Sequence, residues 1–142
     1  MSKEKEKIVN IAIDSNVFRN LNFINYIRLN KAELHVYIPT IVNFEIGYYF
    51  LLKGITWEEY FNEIKKFNGI FLDWDSVVIQ DVLKNAINNK TKLPFRHHFR
   101  DFIIGTQCEK IGINLISYNK NHFNWLTNST TQTPEEFILN RI

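Results

Sequence analysis

IVNIAIDSNV, residues 8–17, decides how the rest of the chain is read. Ile8, Val9, Ile11, Ala12 and Ile13 form a nearly unbroken apolar run, the pattern of a strand covered on both faces in the middle of a parallel sheet. The run stops at Asp14, which Ser15 and Asn16 follow. Open α/β folds gather their ligands at the carboxyl edge of the sheet, so a carboxylate leaving a buried strand stands where chemistry is placed. Asp is also a good cap for a following helix. The stretch by itself leaves both roles open.

Downstream, SNVFRNLNFINYIRLNKA carries Val17, Leu21, Ile24 and Ile27 at helical spacing, which predicts a helix against the sheet. Leu34–Ile38 reads as a second strand, and Pro39 opens a second helix, TIVNFEIGYYFLLK, which stops at Gly54. Thr56-Trp57-Glu58-Glu59 is a capping box for a third helix to about Phe67, with Tyr60, Phe61, Ile64 and Phe67 as its apolar stripe and Gly69 as its breaker. Ile70–Leu72 is a third strand, and Asp75 or Ser76 caps a fourth helix through Ile87. Residues 88–98 read as a basic loop, Phe99–Ile111 as a fifth helix ended by Gly112, and Asn114–Ser117 as a fourth, buried strand. Tyr118–Phe123 is the loop at its exit, Thr131 starts an edge strand, and Thr133-Pro134-Glu135-Glu136 is a second capping box for a C-terminal helix. Strands alternating with helices predict an α/β fold: one domain over residues 8–142, with a mainly parallel, doubly wound sheet and helices on both faces. Residues 1–7, MSKEKEK, read as a disordered charged tail without the apolar core of a secretion signal.

A chain of 142 residues supports an ordinary core. Hydrophobic residues at 45% and charged residues at 23% give the balance of a globular protein, and no stretch of about 18 uncharged apolar residues predicts a membrane span. A single cysteine, Cys108, allows no intrachain disulfide and makes a reducing cytoplasm the default; it reads as a small core residue. A net charge of +2 neither announces nor excludes a nucleic-acid partner, because local patches matter more than totals.

Two further acids stand out. Glu45 lies inside the second helix with Ile41, Val42, Tyr48 and Tyr49 at its i±3 and i±4 positions. A carboxylate in so apolar a surface calls for a cation, a metal or a proton, unless it snorkels to the edge of the stripe. Asp101 falls in the first turn of the predicted fifth helix, where an acid is favourable by itself, and Gly105 one turn on leaves room for another group to approach. Asp73, Asp75 and Asp81 read as strand-exit, capping and helix-surface residues. Arg96, His97, His98 and Arg100 form a basic run that either meets phosphate or is a solvated loop.

Taken in order, these pieces resemble the PIN-domain family of metal-dependent ribonucleases, over nearly the whole chain. Asp14-Ser15-Asn16-Val17 is similar to the family's first strand exit, Glu45 to its helical Glu, and Asp101-Phe102-Ile103-Ile104-Gly105-Thr106 to its third acidic motif. Ser117-Tyr118-Asn119-Lys120-Asn121-His122-Phe123 resembles its last strand exit, where many members carry a fourth carboxylate; here the positions hold Asn119 and His122. The resemblance implies that Asp14, Glu45 and Asp101 hold a metal ion. Asn119 and Ser15 would hydrogen-bond water on that ion, with Ser117 in support. His122 is either a phosphate contact or a surface residue. It also implies RNA as substrate, and, as in many small members, a toxin restrained by an antitoxin protein and a homodimer.

The residue types suit that chemistry. Two carboxylates about 5 Å apart repel by roughly 3 kcal/mol at an effective dielectric near 20. Three at one sheet edge therefore require protonation or a bridging cation. All-oxygen donors favour Mg²⁺ or Mn²⁺. The competing expectation is a degenerate PIN-like module that binds RNA or a protein without cleaving it. A phospho-accepting receiver domain shares the strand-end Asp but is a poor match, lacking an acidic pair before it, and no phosphate-binding P-loop is present.

Overall fold

The computed structural model describes residues 7–142; residues 1–6, most of the tail expected from the sequence, lie outside the described residues. Five strands form one wholly parallel sheet: β1 (Val9–Ile13), β2 (Leu34–Ile38), β3 (Gly69–Phe71), β4 (Asn114–Ile116) and β5 (Thr131–Gln132), in the spatial order β3-β2-β1-β4-β5. Among the described residues, six helices flank it: α1 (Leu21–Leu29), α2 (Thr40–Leu52), α3 (Trp57–Lys65), α4 (Ser76–Asn88), α5 (Phe95–Ile111) and α6 (Pro134–Arg141). This is the doubly wound α/β/α arrangement.

β1 is central because its apolar run can be covered on both sides, and Ile11, Ala12 and Ile13 are fully buried. The chain winds outward from β1 through β2 to β3, then returns to β4 on β1's other side. The strand order therefore reverses between β1 and β4, where ligand crevices of open α/β sheets form. Ile13 pairs with Ile116, and Asp14 N–H continues the ladder to Ile116 C=O at 3.0 Å. Asp14 and Ser117 thus leave the sheet side by side.

The local boundaries depart from the sequence expectations in four places. The expected helix after Asp14 is a 3-10 turn, Ser15–Arg19, followed by α1, divided at Asn20, whose Oδ1 accepts the Phe23 N–H. That break rotates the buried stripe onto Phe23 and Ile27 and leaves Leu21 72% exposed. The Thr56 cap is one-sided, its Oγ1 accepting from Glu59 N–H at 3.2 Å, whereas Thr133 and Glu136 form the reciprocal box. Asn68, at φ 57°, makes a left-handed turn one residue before Gly69, the expected breaker of the helix. Gly69 instead opens β3, where a Cβ would run into Ile64.

The fourth departure moves the site. α5 begins at Phe95, so His97, His98 and Arg100 lie on a helix rather than in a loop. Pro94 precedes it, and Phe95 packs on both Phe99 and Phe102, at i+4 and i+7. This aromatic stripe outweighs basic residues that oppose the helix dipole. Asp101 consequently sits in the second turn. Because the dipole effect is confined to the first turn, it no longer accounts for Asp101.

α2 and α5 are locked together by a residue the sequence does not advertise. Pro39 offers no side-chain cap to α2. Buried Gln107 of α5 supplies one: its Oε1 accepts Thr40 N–H at 3.0 Å, while its Nε2 donates to Thr40 Oγ1 at 2.8 Å and to Asp73 C=O at 3.2 Å. The helix bearing Glu45 is thereby keyed to the helix bearing Asp101. Among the described residues, no helix is long and apolar enough to cross a membrane.

Candidate functional site

Asp14 is held hard at the end of β1. It is fully buried; its Oδ1 accepts Ser15 N–H at 2.7 Å and its Oδ2 accepts the Ser117 hydroxyl at 2.7 Å. Ser117, also fully buried, takes Asn119 N–H at 3.0 Å on the same oxygen. The serine at the exit of β4 therefore orients the carboxylate at the exit of β1 and the following loop together.

Asp14, Glu45 and Asp101 converge, and the group on which they converge is Arg100. Its Nε donates to Glu45 Oε2 at 2.6 Å and its Nη1 to Asp101 Oδ1 at 3.3 Å. Its Nη2 donates to Asp14 Oδ1 and, at 2.6 Å, to Ser15 Oγ. The sequence leaves the basic run of Arg96, His97, His98 and Arg100 as a phosphate contact or a solvated loop; Arg100 is neither solvated nor in a loop but turned inward on α5, with its side chain 25% exposed. Burial alone would lower its pKa, but the Glu45 hydrogen bond and the Asp14 charge outweigh it and hold the guanidinium well above its usual value. A planar fork with five donors is suited to bridging several carboxylates, which a lysine would not do. The cation required by three gathered acids is thus provided by the chain itself. Three carboxylates against one guanidinium still leave a formal charge of −2, and Glu45 Oε1 is buried without a hydrogen-bond partner. Residual negative charge and an orphaned oxygen acceptor suit a hard divalent ion in place of the guanidinium, although with Arg100 between them the three acids do not stand within ligating distance of one another.

Asp101 uses its second oxygen differently. Oδ2 lies 3.4 Å from His98 Nδ1, one turn back on α5, and 3.0 Å from His122 Nδ1, on the 3-10 turn Lys120–Phe123. His122 is therefore the member of the β4 exit loop that faces the acids. Asn119 is exposed, and its carbonyl accepts His122 N–H at 3.0 Å. Arg96 and His97 are exposed at the start of α5. Asp75 caps α4 through Val78 N–H at 2.9 Å, and Asp81 lies 3.9 Å from Lys110, both away from this cluster.

Gly105 admits a large neighbour: a Cβ there would meet the Trp125 ring at 2.5 Å. Trp125 also donates its indole N–H to His122 C=O at 2.9 Å, so this packing helps place the loop that carries His122. Cys108 is buried, and burial, with the charges of Asp14 and Glu109, pushes its thiol pKa up, which leaves it an inert core group.

No protein-family model matches the chain, and no curated protein does. A solved structure does: PAE2754 from Pyrobaculum aerophilum superposes with a TM-score of 0.58 at 15% identity, over 94% of this chain and 96% of that one. At that identity the likeness carries the fold alone.

Proposed function

We propose that this chain is a Mg²⁺- or Mn²⁺-dependent ribonuclease of the PIN type. The observation that carries the proposal is the convergence of Asp14, Glu45 and Asp101, from three separate elements, at the reversal point of a parallel sheet, with a buried Glu45 oxygen left unpartnered. Asp14, Glu45 and Asp101 would hold the ion. When bound, it supplies a lowered water pKa and stabilises charge on a phosphate. Ser15 and Ser117 fix the rotamer of Asp14. Arg100 neutralises the acids and, on displacement, becomes a donor for a phosphodiester. Arg96 and His97, exposed at the start of the same helix, offer positive charge to an RNA backbone.

Purified protein should cleave single-stranded RNA with Mg²⁺ or Mn²⁺ and stop in EDTA. Asp14→Asn and Asp101→Asn should each lose at least about 100-fold in rate, the scale of losing a group that acts on transition-state charge. Full cleavage by Asp14→Asn would overturn the proposal.

The alternative, a non-cleaving PIN-like module that binds RNA or protein, is favoured by one feature. Arg100 already occupies the centre of the acids, and among the described residues no fourth carboxylate pairs with it. Persistent RNA binding without turnover, at any divalent concentration, would select it. For partners, an apolar groove of about 350 Å³ between Phe44, Gly47, Tyr48, Leu51 and Trp57 supports a homodimer or an antitoxin contact. A cytoplasmic setting is in keeping with a lone, inert thiol.

A further inference from the structure

We infer that His98, Asp101 and His122 form a second, chemically different metal site, one for a first-row transition ion of the zinc class. The inference does not rest on the ribonuclease proposal. The two imidazoles and the carboxylate present donor atoms that all lie within 4.8 Å of one another. Bonds of about 2.0–2.2 Å from such an ion place neighbouring donors roughly 2.8–3.6 Å apart, the short end at octahedral and the long end at tetrahedral angles. His122 Nδ1 and His98 Nδ1 stand 3.0 and 3.4 Å from Asp101 Oδ2, the latter as a hydrogen bond that an ion would replace.

Direction adds a second argument. At 3.0 Å, His122 Nδ1 is near enough to bond Asp101, yet it is a buried nitrogen with no hydrogen-bond partner. It points to the side of the oxygen rather than along the line joining the two. Two donors sharing an ion take that attitude, since the ion lies off the line between them. The His98 and His122 rings meet edge-on, with centroids 5.2 Å apart and planes at 86°. Their nitrogens can therefore approach one ion without stacking of the rings.

The elements supporting these donors are fixed. His98 and Asp101 share a helix face at i, i+3. His122 is set by Asn119 C=O on its own N–H and by the Trp125 indole on its carbonyl. Imidazole nitrogen suits Zn²⁺, Co²⁺ or Ni²⁺ and not Mg²⁺, whose preference is for oxygen. Asp101 divides its oxygens accordingly, Oδ1 toward Arg100 and the acids, Oδ2 toward the histidines. With three protein ligands, and the His122 side chain 42% exposed, the ion keeps open positions for water or a phosphate oxygen.

The test uses untagged, full-length protein titrated with Co²⁺ alone, read by visible d–d absorption, and with Zn²⁺ alone, read by calorimetry. One equivalent should bind with both histidines in its shell. His98→Ala and His122→Ala should each weaken binding by about 10–100-fold or more, since even an outer partner of a ligand is worth that much. His35→Ala should leave it unchanged, and Glu45→Gln should keep saturable binding with both histidines in the Co²⁺ shell. Absence of saturable binding overturns the inference, as does binding equal to wild type in His98→Ala and His122→Ala. Loss of binding in Glu45→Gln overturns it too, by assigning the ion to the acids. Because the readout needs no RNA, a chain that binds Co²⁺ through these histidines but never cleaves RNA would refute the nuclease and leave this site standing.

Discussion

Replacing Arg100 by Met keeps most of the side-chain volume and removes the cation from the three acids. Truncating one partner of a buried ion pair costs about 3–5 kcal/mol, because the remaining charge is left uncompensated. Here Asp14 is fully buried and retains Ser15 N–H, the Ser117 hydroxyl and a long 3.5 Å bond from the Ser15 hydroxyl. Repulsion between the uncompensated carboxylates adds to this, roughly 3 kcal/mol for a pair about 5 Å apart at an effective dielectric near 20 and less for a wider pair. Glu45, with its side chain 35% exposed, can swing into water and shed part of that. The net expectation is a loss of about 2–4 kcal/mol in EDTA. Urea denaturation measures it as a fall in midpoint at unchanged slope. Mg²⁺ at about a hundred times its dissociation constant should return roughly 2.7 kcal/mol to the variant. The same concentration should return less to wild type, where the guanidinium competes for the same oxygens. A loss below about 1 kcal/mol in EDTA, within the range of an exposed pair, would show that Arg100 is not the counter-ion of a desolvated cluster. Equal Mg²⁺ gains in both proteins would remove the competition.

Three other perturbations reach different parts of the structure. Gln107→Leu leaves Thr40 N–H and Asp73 C=O without their partner and should cost about 1–3 kcal/mol in the same denaturation assay. Burial pushes the Tyr60 hydroxyl pKa up to about 12, so the folded state holds a proton that the unfolded chain releases near 10. Its contribution is complete below pH 10 and lost as pH rises toward 12; Tyr60→Phe should flatten that alkaline decline in midpoint. Gly105→Ala presses a methyl into the Trp125 ring and should cost about 1–3 kcal/mol, with a shift in tryptophan emission.

The sheet could be read from the chain because its strands are bounded by strong signals: an apolar run closed by Asp14, Pro39 after Ile38, and a reciprocal capping box at Thr133. The start of α5 was hidden for a physical reason. Arg96, His97, His98 and Arg100 have the charge of a solvated loop, and only Pro94 with the Phe95, Phe99 and Phe102 stripe argued otherwise. The three acids could be nominated from their elements, but their counter-ion could not. That Arg100 turns inward depends on where α2 rests against α5, and this is set by Gln107, a residue with no local pattern. The orientation of His122 likewise follows from tertiary packing on Trp125.

The hydrogen bond from Ser117 to Asp14 spans 103 positions, and it joins the first strand to the fourth. During synthesis β1 can pair with β2 early, but it waits for its second neighbour, β4, until most of the polypeptide has left the ribosome. Premature termination before β4 yields a fragment in which β1 pairs with β2 alone and Asp14 lacks the Ser117 hydroxyl. Such a fragment would have an aggregation-prone edge in place of an assembled site.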